Sequence, residues 1–188
     1  MNYSLWWVSP LSVGVGVLLG FGVSEFREWR RREQERVGHF EALAAELQIC
    51  ADMARSYLRV KIRAPSYRMP LIAYQRSLPA LLADGVLTFD ETQALIRFYV
   101  TAQSFNFAVE QAHQLLMKKE DDRPTKRLDS MGNLGKMKAR KLSRDSDRPN
   151  HYTKAIDVVR RRLPEDSRGR LSLGEEELDE EEAQAQEG

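Results

Sequence analysis

The feature that most constrains this chain is an uncharged stretch near its N-terminus. Residues 5–23 contain no Asp, Glu, Lys or Arg, and the triplet Arg30-Arg31-Arg32 follows soon afterwards. A helix rises about 1.5 Å per residue, so roughly 20 apolar residues cross the hydrocarbon layer of a bilayer. The stretch therefore predicts a single transmembrane helix, with residues 1–26 as the anchor.

Two other interpretations of this stretch fit less well. A cleaved signal peptide requires a basic N-terminal region and a small-x-small cleavage site. Residues 1–4 contain no Lys or Arg, and no Ala-x-Ala pattern precedes Glu25. A buried helix of a soluble core conflicts with the density of glycine and with the abrupt basic flank. The positive-inside rule then predicts a single-pass membrane protein with its N-terminus outside and its C-terminal domain in the cytoplasm.

Small residues recur along one face of the predicted anchor. They are spaced four apart: Ser12, Gly16, Gly20 and Ser24. Such a face lets a second helix approach closely, so we expect a helix–helix contact in the membrane. The alternative is that glycine is simply common in membrane helices.

The composition contains no recognisable catalytic or metal-binding pattern. Cys50 is the single cysteine, which excludes an intrachain disulfide and a cysteine-based zinc site. His39, His113 and His151 stand on separate segments without metal-ligand spacing. No G-x-S-x-G, H-E-x-x-H or phosphate-binding glycine loop is present. We therefore predict no catalytic residue, no metal, no cofactor and no small-molecule substrate.

Two apolar stripes with alternating spacings of three and four predict two long helices. The first consists of Val37, Phe40, Ala44, Leu47, Ala51, Ala54 and Leu58. The second consists of Leu95, Phe98, Ala102, Phe105, Val109, Ala112 and Leu116. Thr88 and Glu91 precede the second stripe with the spacing of a capping box.

The matching stripes predict an all-α fold. The anchor helix continues into a helical hairpin or three-helix bundle at residues 27–119, in which a helix between Leu71 and Leu82 covers the seam and Pro79 splits that helix into two pieces. Asn106, beside the second stripe, is expected to fix helix register or to cap a buried neighbour. An extended parallel coiled coil between chains is the alternative arrangement.

Residues 120–149 contain few large apolar side chains and many charges, which favours a flexible linker. Within it lies a basic patch of five cations without an acid: Lys136, Lys138, Arg140, Lys141 and Arg144. A solvated linker is the simplest interpretation. The functional alternative is an electrostatic contact with inner-leaflet lipids or nucleic acid. No aromatic residue is interleaved, so base stacking is not indicated.

Two further segments complete the chain. Residues 150–163 predict a short helix that can dock on the bundle, because Tyr152, Ala155, Ile156 and Val159 share one face. Residues 164–188 predict a disordered acidic tail, since eight acids and no cation occur between Glu175 and Glu187. The tail is expected to aid solubility; shielding of the basic linker or imitation of a polyanion are the alternatives.

Three functional classes remain open. The first is a non-enzymatic, membrane-anchored helical module that binds another protein, as an adaptor or assembly subunit. The second is a self-associating small membrane effector of the lysis or defence type. The third is a membrane tether for nucleic acid. The expected partners are membrane lipid and either another protein or a second copy of the chain, with nucleic acid the less favoured partner.

Overall fold

The computed structural model describes residues 8–59, 68–117, 124–144 and 149–169, with side chains omitted at 8–21 and 124–127. Within these ranges all regular structure is helical, which confirms the all-α prediction there. The helices are α1 (Val8–Arg59), α2 (Ile72–Ala83), α3 (Phe89–Met117), α4 (Pro124–Leu142), α5 (His151–Arg162) and a short α6 at 165–169. The chain divides into two compact units, residues 1–38 and 39–188.

In the first unit, most described side chains of α1 are exposed, Glu28, Arg36 and Val37 are half-buried, and the helix is held by local ion pairs. Glu28 contacts Arg31 at 3.1 Å and Arg32 at 3.3 Å. The Phe26 and Trp29 rings stack with centroids 5.9 Å apart, and both are more than half exposed. This part of α1 is thus a highly charged helix, stabilised by pairs worth a few tenths of a kcal/mol each.

Among the described residues, no helix is long and apolar enough to cross a membrane. The predicted anchor depends mainly on residues 1–21, whose side chains lie outside the description. The same holds for Ser12, Gly16 and Gly20 of the predicted membrane contact, whereas Ser24 is exposed. The anchor therefore stays a prediction.

The core of the second unit contains most of both predicted stripes. From α1 it buries Phe40, Ala44, Leu47, Ala51 and Ala54, and from α3 it buries Leu95, Phe98, Ala102, Phe105, Val109 and Ala112. Val37 and Leu58 are half-buried, and Leu116 is exposed. Tyr57 packs its ring edge-to-face on Phe105, with centroids 5.0 Å apart. The two long helices thus share an interior of large residues set between alanines.

Helix α2 is continuous, so the expectation that Pro79 splits it was wrong. Pro79 is exposed, while Leu78 and Leu81 on either side of it are buried. Proline removes one backbone hydrogen bond from a helix. The burial of the two leucines offsets that loss and keeps the single helix intact.

The prediction of a flexible basic linker at 120–149 was wrong for residues 124–142, which form α4 and pack mainly on α3. Gly135, Ala139 and Leu142 are buried on its inner side. An ideal Cβ added to Gly135 would lie 2.7 Å from the Tyr57 hydroxyl oxygen, so this glycine allows a close approach of α4 to α1. The packing depends on small residues, which contribute little to a search for large apolar side chains.

Helix α5 was predicted correctly, and α6 extends the fold beyond it. Asn150 and Thr153 form a capping box at the start of α5, which buries the predicted Tyr152, Ala155, Ile156 and Val159 together with Val158. Residues 165–169, assigned to the disordered tail, are helical instead. Ser167 is buried there, and its hydroxyl donates to Glu41 at 2.7 Å. The rest of the predicted tail, 170–188, lies outside the described residues.

Candidate interaction surface

The buried polar residues of the second unit hold helices in place. Glu46 of α1 is 5% exposed, and its carboxylate accepts from the backbone N–H of Ala73 at 2.7 Å and of Tyr74 at 2.9 Å. These are donors of the first turn of α2, for which the preceding Leu71 provides no side-chain cap. A helix N-terminus carries partial positive charge, so the carboxylate is well placed. Glu46 therefore acts as the cap of α2 from a different helix.

The groups next to Glu46 are kept neutral. Burial, followed by the Glu46 charge, raises the pKa of the Cys50 thiol to about 12. Burial, again followed by Glu46, raises the pKa of Tyr99 far above its ordinary value. Tyr99 also stacks on Tyr74, with ring centroids 4.3 Å apart. A thiol with so high a pKa is not a nucleophile near neutral pH, so Cys50 serves packing.

Asn106 joins α3 to the segment before α2. Its side-chain oxygen accepts from Met69 N–H at 2.8 Å, and its amide nitrogen donates to Met69 C=O at 3.0 Å. Met69 is buried, so both of its backbone groups need partners. Of the two roles expected for Asn106, the structure shows the second: its side chain caps the backbone of a buried neighbour, Met69.

A bidentate ion pair links α3 to α5. Arg162 donates from Nη2 to Glu91 at 2.7 Å and from Nε at 3.2 Å. Glu91 also forms the predicted capping box, in which its carboxylate accepts from Thr88 N–H at 2.9 Å and the Thr88 hydroxyl accepts from Glu91 N–H at 3.3 Å. The Arg162 hydrogen bonds, then those from Thr88, lower the pKa of Glu91 to about 2 despite its burial.

The basic patch of α4 is divided by the fold. Lys138 and Lys141 lie near His151, together with Arg97 of α3 and Lys154 of α5. Partial burial, and then these four cations, lower the pKa of His151, whose Nδ1 lies 2.9 Å from the Thr101 hydroxyl. Of the other three cations, Lys136 and Arg140 are exposed, and Arg144, which follows α4, contacts Asp52 at 3.8 Å.

The three histidines have different surroundings. His39 contacts the Ser77 hydroxyl at 3.2 Å, and His113 is exposed. No group of three or more His, Cys, Asp or Glu side chains within the described ranges is arranged to hold a metal ion.

The least expected surface is the outward face of α3, opposite the stripe that it buries. Four large apolar side chains there are exposed: Phe89 at 80%, Ile96 at 38%, Val100 at 49% and Phe107 at 59%. With 3.6 residues per turn, all four fall within about 20° of one line along the helix. We call this set the outer stripe.

The setting of the outer stripe is polar but almost uncharged. Gln93 and Gln103 are exposed and lie beside the line of the stripe. From Thr92 to Val109 the sequence contains a single charged residue, Arg97. A surface helix ordinarily carries charged residues on the face opposite its core, and a helix that is apolar on both faces is ordinarily buried on both.

The sequence interpretation missed the outer stripe although its signal was present. The aromatic residues Tyr99 and Phe107, beside the stripe that α3 buries, predict a buried face wider than a coiled-coil seam. The structure places Phe107 outside that face. The diagnostic signal is the absence of charge on the outward positions of α3, rather than any further periodicity.

The sequence matches no protein-family model, and neither a curated protein nor a solved structure matches the chain.

Proposed function

We propose that this protein is a non-enzymatic, membrane-anchored helical module, an adaptor or assembly subunit, that docks another protein chain on the outer stripe of α3. The observation that carries the proposal is the exposure of Phe89, Ile96, Val100 and Phe107 along one helix face that is almost uncharged. Continuous exposed apolar surface is uncommon on soluble monomers and marks interaction sites.

The chemistry of the outer stripe suits helix docking. Two phenylalanines at its ends supply large aromatic side chains, which are enriched at the core of protein–protein interfaces. Branched aliphatic residues fill the space between them, and the flanking glutamines supply hydrogen bonds without charge. An amphipathic partner helix can bind such a surface through apolar side chains spaced three, four and seven residues apart.

The membrane part of the proposal is supported by the sequence of residues 5–23 and by the residues that follow. Val23, Phe26 and Trp29 are exposed on α1, and the Arg30 guanidinium lies 5.1 Å from the centre of the Phe26 ring. Aromatic and basic side chains of this kind are typical of the membrane–water interface. Exposed large apolar residues next to an apolar span are favourable only where lipid or protein covers them.

The proposal is tested by one charged substitution with a matched control. Full-length Val100→Glu and Ile49→Glu are extracted gently from the native membrane, and the mass and composition of each complex are compared with those of the wild type. Both residues are about half exposed, so neither substitution disturbs the core. We expect Val100→Glu to lose the associated chain and Ile49→Glu to retain it. Identical complexes from all three would refute the docking role of the outer stripe.

A second candidate function is an electrostatic contact with a polyanion through the cations around His151. The observation that favours it is the convergence of Arg97, Lys138, Lys141 and Lys154 from three helices. Phosphate contacts of this kind weaken as salt rises. Binding of the full-length protein to nucleic acid and to anionic vesicles, at low and physiological salt, tests this function and identifies the preferred anion. Absence of binding to both at low salt would refute it.

A further inference from the structure

We propose that the chain that occupies the outer stripe of α3 is α3 of a second copy, packed antiparallel about a two-fold axis at the level of Phe98. This inference rests on the proposed function of the outer stripe as a docking face. It goes beyond that function because it names the occupant and the register.

The outer stripe has the same pattern in both chain directions. Its apolar residues are separated by seven, four and seven positions. Reversing the helix about position 98 therefore places Phe89 opposite Phe107 and Ile96 opposite Val100. The flanking glutamines obey the same symmetry, since Gln93 then lies opposite Gln103. A two-fold interface requires a surface that is complementary to itself, and this reversal gives one.

The charges around the outer stripe favour the antiparallel direction over the parallel one. In a parallel pair Asp90 and Glu110 would each lie beside their own copies. In the antiparallel pair Asp90 lies at the level of Asn106 of the second copy. Glu110, which forms an ion pair with Arg68 of its own chain, lies beyond the first residue of the second α3. Antiparallel helices also align their macrodipoles favourably. The arrangement therefore avoids like-charge contacts near both ends of the stripe.

Other occupants fit the outer stripe less well. The C-terminal segment from Glu175 to Glu187 carries eight acids and no cation, and an uncharged apolar face offers it no electrostatic complement. Helices that lie on anionic membranes carry Lys and Arg along their polar flank, whereas Arg97 is the single cation between Thr92 and Val109. A second copy needs no such charge.

The size of the outer stripe suits a pair of modest strength. Its length from Phe89 to Phe107 is about 27 Å at 1.5 Å per residue. Each well-buried aromatic side chain contributes on the order of 150 Å². The four phenylalanines of a pair thus supply about 600 Å², about half of the roughly 1,200 Å² at the lower limit of stable interfaces. The aliphatic and glutamine side chains of both copies supply further area.

The register is tested by disulfide cross-linking of the full-length protein in mild detergent. Phe89→Cys and Phe107→Cys chains, one of them tagged, are oxidised separately and as a mixture. We expect a covalent dimer from the mixture, at least tenfold above the yield of either variant alone. Wild-type protein is one control, because its only thiol, Cys50, is buried, has a pKa of about 12 and reacts poorly. Ile49→Cys is the second control, because it places an exposed cysteine outside the outer stripe. The pair Gln93→Cys and Gln103→Cys repeats the test one turn further in, at exposed positions that leave the core intact.

Each outcome separates this inference from the proposed function. A dimer from Phe89→Cys alone, with none added by mixing, would indicate parallel pairing and overturn the register. A monomeric mass with no cross-link from either pair would overturn self-association. If Val100→Glu then still releases a foreign chain, the proposed docking function stands without the second copy. If Val100→Glu also changes nothing, both proposals fail.

Discussion

Two glycines of α4 provide the sharpest test of the fold, because replacing each by alanine has opposite expected effects. Nothing lies within 4 Å of a Cβ added to Gly132. At Gly135 the added Cβ would lie 2.7 Å from the Tyr57 hydroxyl oxygen and 3.2 Å from its ring carbon Cζ. Tyr57 cannot move aside freely, because it is 3% exposed and its ring packs on Phe105.

The magnitude follows from two opposing terms. Alanine is favoured over glycine in a helix by about 1 kcal/mol, and this gain applies at both positions. Overpacking a well-filled site costs about 1–3 kcal/mol, and this cost applies at Gly135 alone. We therefore expect Gly132→Ala to raise the free energy of unfolding by up to about 1 kcal/mol. Gly135→Ala should lie about 2 kcal/mol below Gly132→Ala, a difference of roughly 4–8 °C in melting temperature.

The assay is urea and thermal unfolding of the two full-length variants and the wild type, with and without Tyr57→Phe. Removing the tyrosine hydroxyl removes the nearest atom, so Tyr57→Phe should recover part of the loss in Gly135→Ala and leave Gly132→Ala unaffected. Equal stabilities of the two glycine variants would refute the packing of α4 on Tyr57. That result would restore the interpretation of this segment as a flexible linker.

Three further predictions concern the polar contacts. Glu46→Ala should lower the free energy of unfolding by about 2–4 kcal/mol in urea titrations, because α2 loses two charge-assisted hydrogen bonds. Glu35→Gln on exposed α1 should change it by less than about 0.5 kcal/mol, and equal losses would exclude the capping role. Folding lowers the pKa of Glu91 to about 2, so its contribution of about 3 kcal/mol is complete above its ordinary pKa of 4.5 and is lost as pH falls towards 2. Glu91→Gln should lack this contribution at pH 7 and show a flatter acid limb; an unchanged acid limb would contradict the assignment. Cys50 should resist maleimide at pH 7–8 in folded protein and react fully in urea, whereas rapid labelling without denaturant would show that the thiol is accessible.

Much of the fold was predictable because the sequence carries strong local signals. The alternation of three and four positions located the buried faces of α1 and α3, and the Thr88–Glu91 spacing marked the start of α3. The cap of α2 was not predictable in this way. Glu46 and Ala73 are 27 residues apart, so their contact depends on tertiary packing rather than on local pattern.

Helix α4 was missed for a different physical reason. Its contact with α1 depends on Gly135, and small residues allow close backbone approach while contributing little apolar area. By its composition, the segment at 120–149 cannot bury enough apolar surface to fold alone. That judgement did not include the partner surface already formed by α1 and α3. A segment that cannot fold by itself can still complete a core, provided that its few small residues face the correct neighbours.

The same reasoning explains why α3 carries the candidate interaction surface. Its inner face packs on the other helices of the unit, and its outer stripe would leave Phe89 and Phe107 in water unless another chain covered them. Charged residues on that face would not destabilise the fold, because the positions are exposed and face away from the core. Of the exposed positions between Thr92 and Val109, only Arg97 is charged. The absence of charge at the other five exposed positions therefore has no explanation in the stability of the single chain. It is explained if a second α3 packs on the outward face of α3 and buries it.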